Sequence, residues 1–213
     1  MSPIELFKDR ERGQVGIETL IIFIAMILVA AVAAGVLINT AGFLQNKASA
    51  TSTDSTEQVS NQVIVVSAIG VVDDTSTNVT TLNLTVMESP GAEEIDLEDA
   101  TLEWIGPKGH TTLVHSDSKL INGTAATPGT NNTFYTSGVK DLDDSNPVLN
   151  SKDDRIVITV NLNATEQGTD ALSELQEGEK ATVKIVTQSG SLYTYVVNVP
   201  ESLSSSKGSS VEV

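Results

Sequence analysis

The chain has 213 residues, 28 acids, 12 bases and no cysteine, for a formal net charge of −16. Its length holds one sizeable domain plus an extra element rather than two full domains, and the missing cysteine excludes disulfides, thiolate metal sites and cysteine nucleophiles. Residues 1–48 are neutral, so the whole excess lies on residues 49–213, with 24 acids and 8 bases, and that surface repels nucleic acid and anionic headgroups.

The first segment, residues 1–13, sets Lys8, Arg10 and Arg12 against Glu5, Asp9 and Glu11 and ends at Gly13. From Leu20 to Ile38 no charged or strongly polar side chain interrupts 19 residues, enough for a helix of roughly 28 Å, close to the thickness of a bilayer core. Its twelve Leu, Ile, Val and Phe residues contribute about −0.3 to −0.6 kcal/mol each, roughly −4 to −7 kcal/mol toward membrane insertion. Glu18 opposes this weakly, because it lies near an end of the run.

Three readings of this segment differ in what is removed. A secretory signal peptide would be cut near Ala31-Val32-Ala33, but the chain stays apolar beyond that point, through Gly35, Val36, Leu37, Ile38, Ala41, Gly42, Phe43 and Leu44. A permanent membrane anchor is physically sound and leaves Gly13 unexplained. In the third reading the charge-dense but neutral leader is removed and the apolar helix is kept. A helix apolar on every face is stable only in lipid or among other apolar helices. The pairs Ala30/Ala34 and Ala31/Gly35 have the small-x-x-x-small spacing that lets helix backbones approach closely.

The run Arg12-Gly13-Gln14-Val15-Gly16-Ile17-Glu18-Thr19-Leu20, continued by "IIFIAMILVAAVAAGVLINTAGFLQ", resembles the N-terminus of archaeal flagellins (archaellins), those of haloarchaea above all. "GEKATVKIVTQSGSLYTYVVNVPESL", Gly178 to Leu203, is similar to their C-terminal part. The resemblance implies a class III signal peptide of the type IV pilin kind, cut by a membrane peptidase between Gly13 and Gln14. It implies a filament subunit for swimming, with identical or paralogous archaellin subunits, the leader peptidase and a membrane assembly machinery as partners. An adhesive archaeal pilin or a membrane-anchored surface binding module are the alternatives. Glu18 keeps two readings. It is an acid in a helix first turn, favoured there by the macrodipole, or it is the fifth residue of the processed chain, meeting the new terminal amine of another subunit.

The polar stretch "ASATSTDSTEQVSNQ" is expected to prolong the helix to about residue 60, giving a leader 1–13, a helix 14–60 and an outer domain 61–213. The period then changes. Residues 63–72, 79–88, 100–106, 111–115, 155–163, 181–188 and 191–199 are short, rich in Val, Ile, Thr and Tyr, and largely alternating. Gly190 in "QSGS" makes the last two runs a hairpin. The fold class expected is α+β, a long hydrophobic helix followed by an immunoglobulin-like antiparallel β-sandwich. Residues 122–152 read as a surface loop with one short strand at 133–137, and the tail "SSSKGSSVEV" reads as mobile in isolation. Abundant acids with few lysines suit concentrated salt, where the Debye length falls to about 3 Å; an acidic surface made only for solubility is the alternative.

Five Asn-x-Thr sequons, at Asn78, Asn83, Asn122, Asn131 and Asn163, all fall in the outer domain and are candidates for N-glycosylation. The count alone is weak evidence; the family resemblance adds to it, and Asn122 and Asn131 lie in the expected loop. His110 and His115, five apart in a strand, point to opposite faces, unsuited to one metal. Asp141, Asp143 and Ser145 imitate the start of a calcium loop, but the sixth position is Asn146 rather than Gly and the twelfth is Lys152 rather than Glu. No nucleophile elbow, phosphate-cradling glycine loop or H-E-x-x-H motif occurs, so no catalytic, cofactor or metal site is expected.

Overall fold

A computed structural model of the chain describes residues 3–75, 77–116, 132–162, 172–204 and 206–213, with side chains from Gly16 onward. Two compact units divide between Thr53 and Asp54. The first is helical. Helix α1, Pro3–Ser60, runs unbroken for 58 residues, its last turns belonging to the second unit. Proline is absent after its first residue, so no ring interrupts the backbone hydrogen bonds, and Leu and Ala favour helix through its middle against the weaker propensities of its Val and Ile residues, Gly35 and Gly42.

Among the described residues the second unit holds eleven strands: β1 Val63–Val72, β2 Val79–Glu88, β3 Ile95–Asp96, β4 Thr101–Gly106, β5 Gly109–His115, β6 Thr133–Lys140, β7 Val148–Leu149, β8 Arg155–Asn161, β9 Lys180–Val186, β10 Leu192–Asn198 and β11 Ser210–Glu212. Nine of them follow one another in the order β10-β9-β4-β5-β6-β8-β2-β1-β11, and β3 pairs with β7. Every pair is antiparallel except β5–β6, joined in parallel over Val114↔Thr133 and His115↔Phe134. This short junction divides the strands into two antiparallel halves, β10-β9-β4-β5 and β6-β8-β2-β1-β11. The order is not one that a count of alternating segments could supply.

Both halves turn their inward rows into one core. Leu82, Leu84, Ile156 and Ile158 enter it from one half, and Leu102, Trp104, Val183 and Ile185 from the other, each at most 1% exposed. The register explains the layering. Leu113, Leu102 and Ile185 are successive cross-strand partners facing in; Thr112, Glu103, Lys184 and Thr194 form the adjacent outward row. In β1 a bulge at Val66 resets the alternation, so Val63 and Val65 face in before it, and Ala68 and Val72 after it. Gly70 follows from the same packing: a Cβ there would lie 2.8 Å from Val79 Cγ1 and 3.1 Å from Val213 Cγ1.

Two expectations are corrected. The tail is held rather than mobile: β11 pairs with β1, the Val213 amide donates to the Ala68 carbonyl at 3.2 Å, and Val213 is 9% exposed. Tyr195 of β10 donates its hydroxyl to the Val213 carbonyl at 3.0 Å, bringing the two ends of the nine-strand order together. Burial first, then the Glu212 charge and Tyr193, push this phenol's pKa up and keep it a donor. The segment 122–152, read as loop, holds the longer β6 and also β7, whose Leu149 is fully buried. The hairpin at Gly190 is found, with φ +79° and its amide donating to the Thr187 carbonyl at 2.9 Å.

Candidate assembly surface

Every residue from Gly16 to Thr56 is exposed, including Ile22, Phe23, Leu28, Val29, Leu37 and Phe43. The helix is long and apolar enough to cross a membrane by length and composition. Its polar side chains do little to soften this surface. The hydroxyls of Thr19 and Thr40 donate back to the Gly16 and Val36 carbonyls at 3.0 and 2.8 Å, closing on their own backbone instead of inviting a partner. A helix with so much apolar surface on all sides has free energy to gain wherever water is replaced by lipid or by another apolar helix.

Ala30, Ala31, Ala34 and Gly35 lie within this exposed stretch, at spacings of three and four residues that share a face. At Gly35 and Gly42 no described residue, apart from the helix's own adjacent backbone, lies within 4 Å of the place a Cβ would take. No described residue therefore requires glycine there, and the close approach that small residues permit is available to a neighbour. Gly13 and Gln14 lie inside α1, whose backbone continues through them to Pro3. Glu18 is exposed and stands 15 residues beyond the start of the helix. Its reading as a first-turn acid is thus incorrect for the uncut chain: the first turn here is formed by the leader, and the macrodipole acts mainly within a terminal turn.

Of the five sequons, Asn122, Asn131 and Asn163 lie outside the described residues. Asn78 is half-buried just before β2 and donates through Nδ2, the atom a glycan would occupy, to Glu174 Oε2 at 2.9 Å. Asn83 lies mid-strand in β2, paired on both sides with Ile69 and Thr159, and its Oδ1 accepts the Thr159 hydroxyl at 3.0 Å. Pairing on both sides makes Asn83 the less accessible of the two as an extended acceptor segment.

His110 is exposed, while His115 turns to the other face, with Nε2 3.0 Å from Thr136 Oγ1 and its ring edge-on to Phe134. Asp141, Asp143 and Asp154 place carboxylate oxygens within 4.8 Å of one another, a donor set that a hard cation could take. Asp154 was not singled out by the sequence pattern, being 13 residues from Asp141. All three already have local tasks, Asp143 accepting Asn150 Nδ2 at 2.9 Å. Asp141 accepts the Ser145 and Asn146 amides at 3.1 and 2.9 Å; Asp154 accepts those of Ser151 and Asn150 at 2.9 and 3.2 Å. Desolvation raises the Asp141 pKa, but the amide bonds outweigh it and hold the carboxyl below its usual range.

The comparisons with known proteins agree with this arrangement. A family model described as archaeal-type flagellin matches residues 13–197. Flagellin B2 of Halobacterium salinarum is 47% identical over 197 residues, covering 92% of each chain, and flagellin A2 of the same organism is 45% identical over 195 residues with the same coverage. Among solved structures, the archaeal flagellum of Methanospirillum hungatei strain JF1 shares the fold with a TM-score of 0.66 at 19% identity, covering 93% of this chain and 99% of that one. The matched residues span most of the apolar helix and most of the strand-rich unit, and the chain belongs to the archaeal-type flagellins.

Proposed function

We infer that the chain is the structural subunit of an archaeal flagellum filament, polymerising through α1. One observation carries this: an apolar surface running around a helix from Gly16 to beyond Phe43, exposed throughout among the described residues. The helix is suited to two successive solvents. In the precursor it lies in lipid; in the polymer it lies among its own copies, or those of paralogues, where Ala30, Ala31, Ala34 and Gly35 allow close backbone approach. Because lipid already covers the same surface, moving the helix from one to the other gains far less than burial from water, and a membrane-bound machinery is required to drive the transfer.

Removal of residues 1–13, between Gly13 and Gln14, is the step that frees the helix. Two features support it: a charged leader that holds the precursor at the membrane surface, and a family match that begins only at residue 13. Glu18 then becomes the fifth residue, where its carboxylate enters an apolar bundle and needs a cationic partner; the terminal amine of a neighbouring subunit supplies one. N-glycans on the outer unit are a further part of this reading, with Asn78 preferred over Asn83 among the described sequons.

The test is mass spectrometry of material sheared from cells. A chain beginning at Gln14 within high-mass polymer is the expected result, with mass increments on peptides bearing used sequons. An intact N-terminus at Met1 and no polymer would instead establish a membrane-anchored surface module. Deletion of the gene separates the adhesive-pilin alternative: loss of swimming with attachment intact is expected, and the reverse pattern would favour the pilin.

A further inference from the structure

The strand-rich unit exposes two apolar features of opposite electrostatic character. On the outward face of the β10-β9-β4-β5 half, Leu192, Val196, Val114 and Ile105 are 51, 55, 50 and 37% exposed. The register places Leu192 and Val114 at the ends of one cross-strand row and Val196 and Ile105 in another, with Lys184 between the rows, 3.0 Å from Glu103. Lys180 extends the same outward row set opposite Asn198. Lys180 and Lys184 thus outnumber the single acid on this face, in a unit where acids exceed bases threefold.

The second feature lies in the other half, after β6. Leu142 is 88% exposed and Val139 68%, and Leu142 stands among Asp141, Asp143 and Asp144. The loop that presents it is fixed. Asp141 accepts two backbone amides ahead of it, and Asp143 accepts Asn150 Nδ2 at 2.9 Å. An exposed leucine held in a fixed acidic loop loses little conformational freedom on docking.

We propose that the Leu142 loop of one subunit seats on the Leu192–Val196–Ile105 face of the next copy of this chain, its aspartates beside Lys180 and Lys184. The two patches are different and belong to different halves of the unit, so one subunit uses both at once. A contact of this head-to-tail kind repeats without closing, which is what a filament requires. The charge pattern favours it over a random encounter between acidic surfaces, since the strands of this face present two lysines against one acid. The assignment rests on the filament reading and adds to it a contact outside the helix.

The absence of native cysteine makes the test direct. The full chain carrying both Leu142→Cys and Val196→Cys, as the sole filament subunit in a motile haloarchaeal host, is oxidised in intact filaments and run without reductant. A ladder of disulfide-linked oligomers is expected from the double variant, and only monomer from each single variant. Filaments that form normally but give no ladder overturn the docking while leaving the filament reading intact; failure of the unmodified chain to enter filaments overturns the reading itself. A charge test keeps the proposal falsifiable if the cysteines prevent assembly. Asp143→Lys and Lys180→Asp, each alone, are expected to shorten filaments at reduced salt, and their combination to restore length. Equal shortening in the double variant would overturn the docking.

Discussion

Glu88 shows how a single carboxylate can work against the fold that holds it. At the end of β2 it is 5% exposed, and its pKa is raised, chiefly by burial and then by the charge of Asp154, with Lys152 opposing. A folded pKa above the unfolded one means that the native state binds the proton more tightly, so the stabilising contribution is full in acid and fades as pH rises through the folded pKa. Glu88→Gln keeps the shape and removes the charge. The variant is expected to melt at least as high as the parent at pH 7 and to show a flatter dependence of Tm on pH above the ordinary glutamate range; a steeper one would contradict the assignment. Glu18 makes its contribution elsewhere. It is exposed in the single chain, so Glu18→Lys is expected to leave the melting of the strand-rich unit unchanged while abolishing filaments, as seen by electron microscopy. Normal filaments from that variant would dispose of the amine pairing. The apolar, exposed run that holds Glu18, Ala30 and Gly35 was legible because it is a local run. Asp154 and Asn61 were not, because each takes its role from residues distant in the chain or in a turn: Asn61 is buried, and its carbonyl accepts the Thr187 hydroxyl 126 residues away.

At the level of elements, alternation located seven strands, and two of them, at 63–72 and 79–88, coincide with β1 and β2 to the residue. A strand with one buried face writes its period into the chain. The misses share one cause. The two-residue β3 and β7 are too short to show a period, and β11 lies in a stretch of Ser, Lys and Gly that carries only Val-Glu-Val as a hint. Each exists because a partner strand offers it hydrogen bonds. Gly70 marks where β1 has no room for a side chain, so Gly70→Ala is expected to destabilise the unit by about 1–3 kcal/mol through overpacking against Val79 and Val213. Chemical denaturation of the variant checks this; an unchanged midpoint would mean that β11 simply lifts away to make space.

For the whole molecule, charge and apolar surface are segregated: the first 48 residues are neutral, and everything after them carries the net charge of −16. Packing many such subunits into one filament sets their acidic surfaces close together. The Debye length is about 3 Å at 1 M salt and about 30 Å at 0.01 M, so repulsion that is screened in concentrated salt reaches across neighbouring subunits when it is diluted. Filaments are expected to loosen or shorten on transfer to low ionic strength, read by light scattering and microscopy. Unchanged length there would assign the acidic surface to solubility alone.

Sequence by itself determined the division of labour: an apolar segment of membrane length, a charge-dense but neutral first segment ahead of it, an acidic strand-rich remainder, and a resemblance concentrated at the two ends. These are properties of local runs, in which residue type and period act over a few turns or one strand. Tertiary structure alone decided the order of the nine strands, the parallel β5–β6 junction, the capture of the tail by β1 and the placing of Leu142 in a pinned acidic loop. Such features depend on which distant backbone groups and side chains meet, and no local period encodes that meeting.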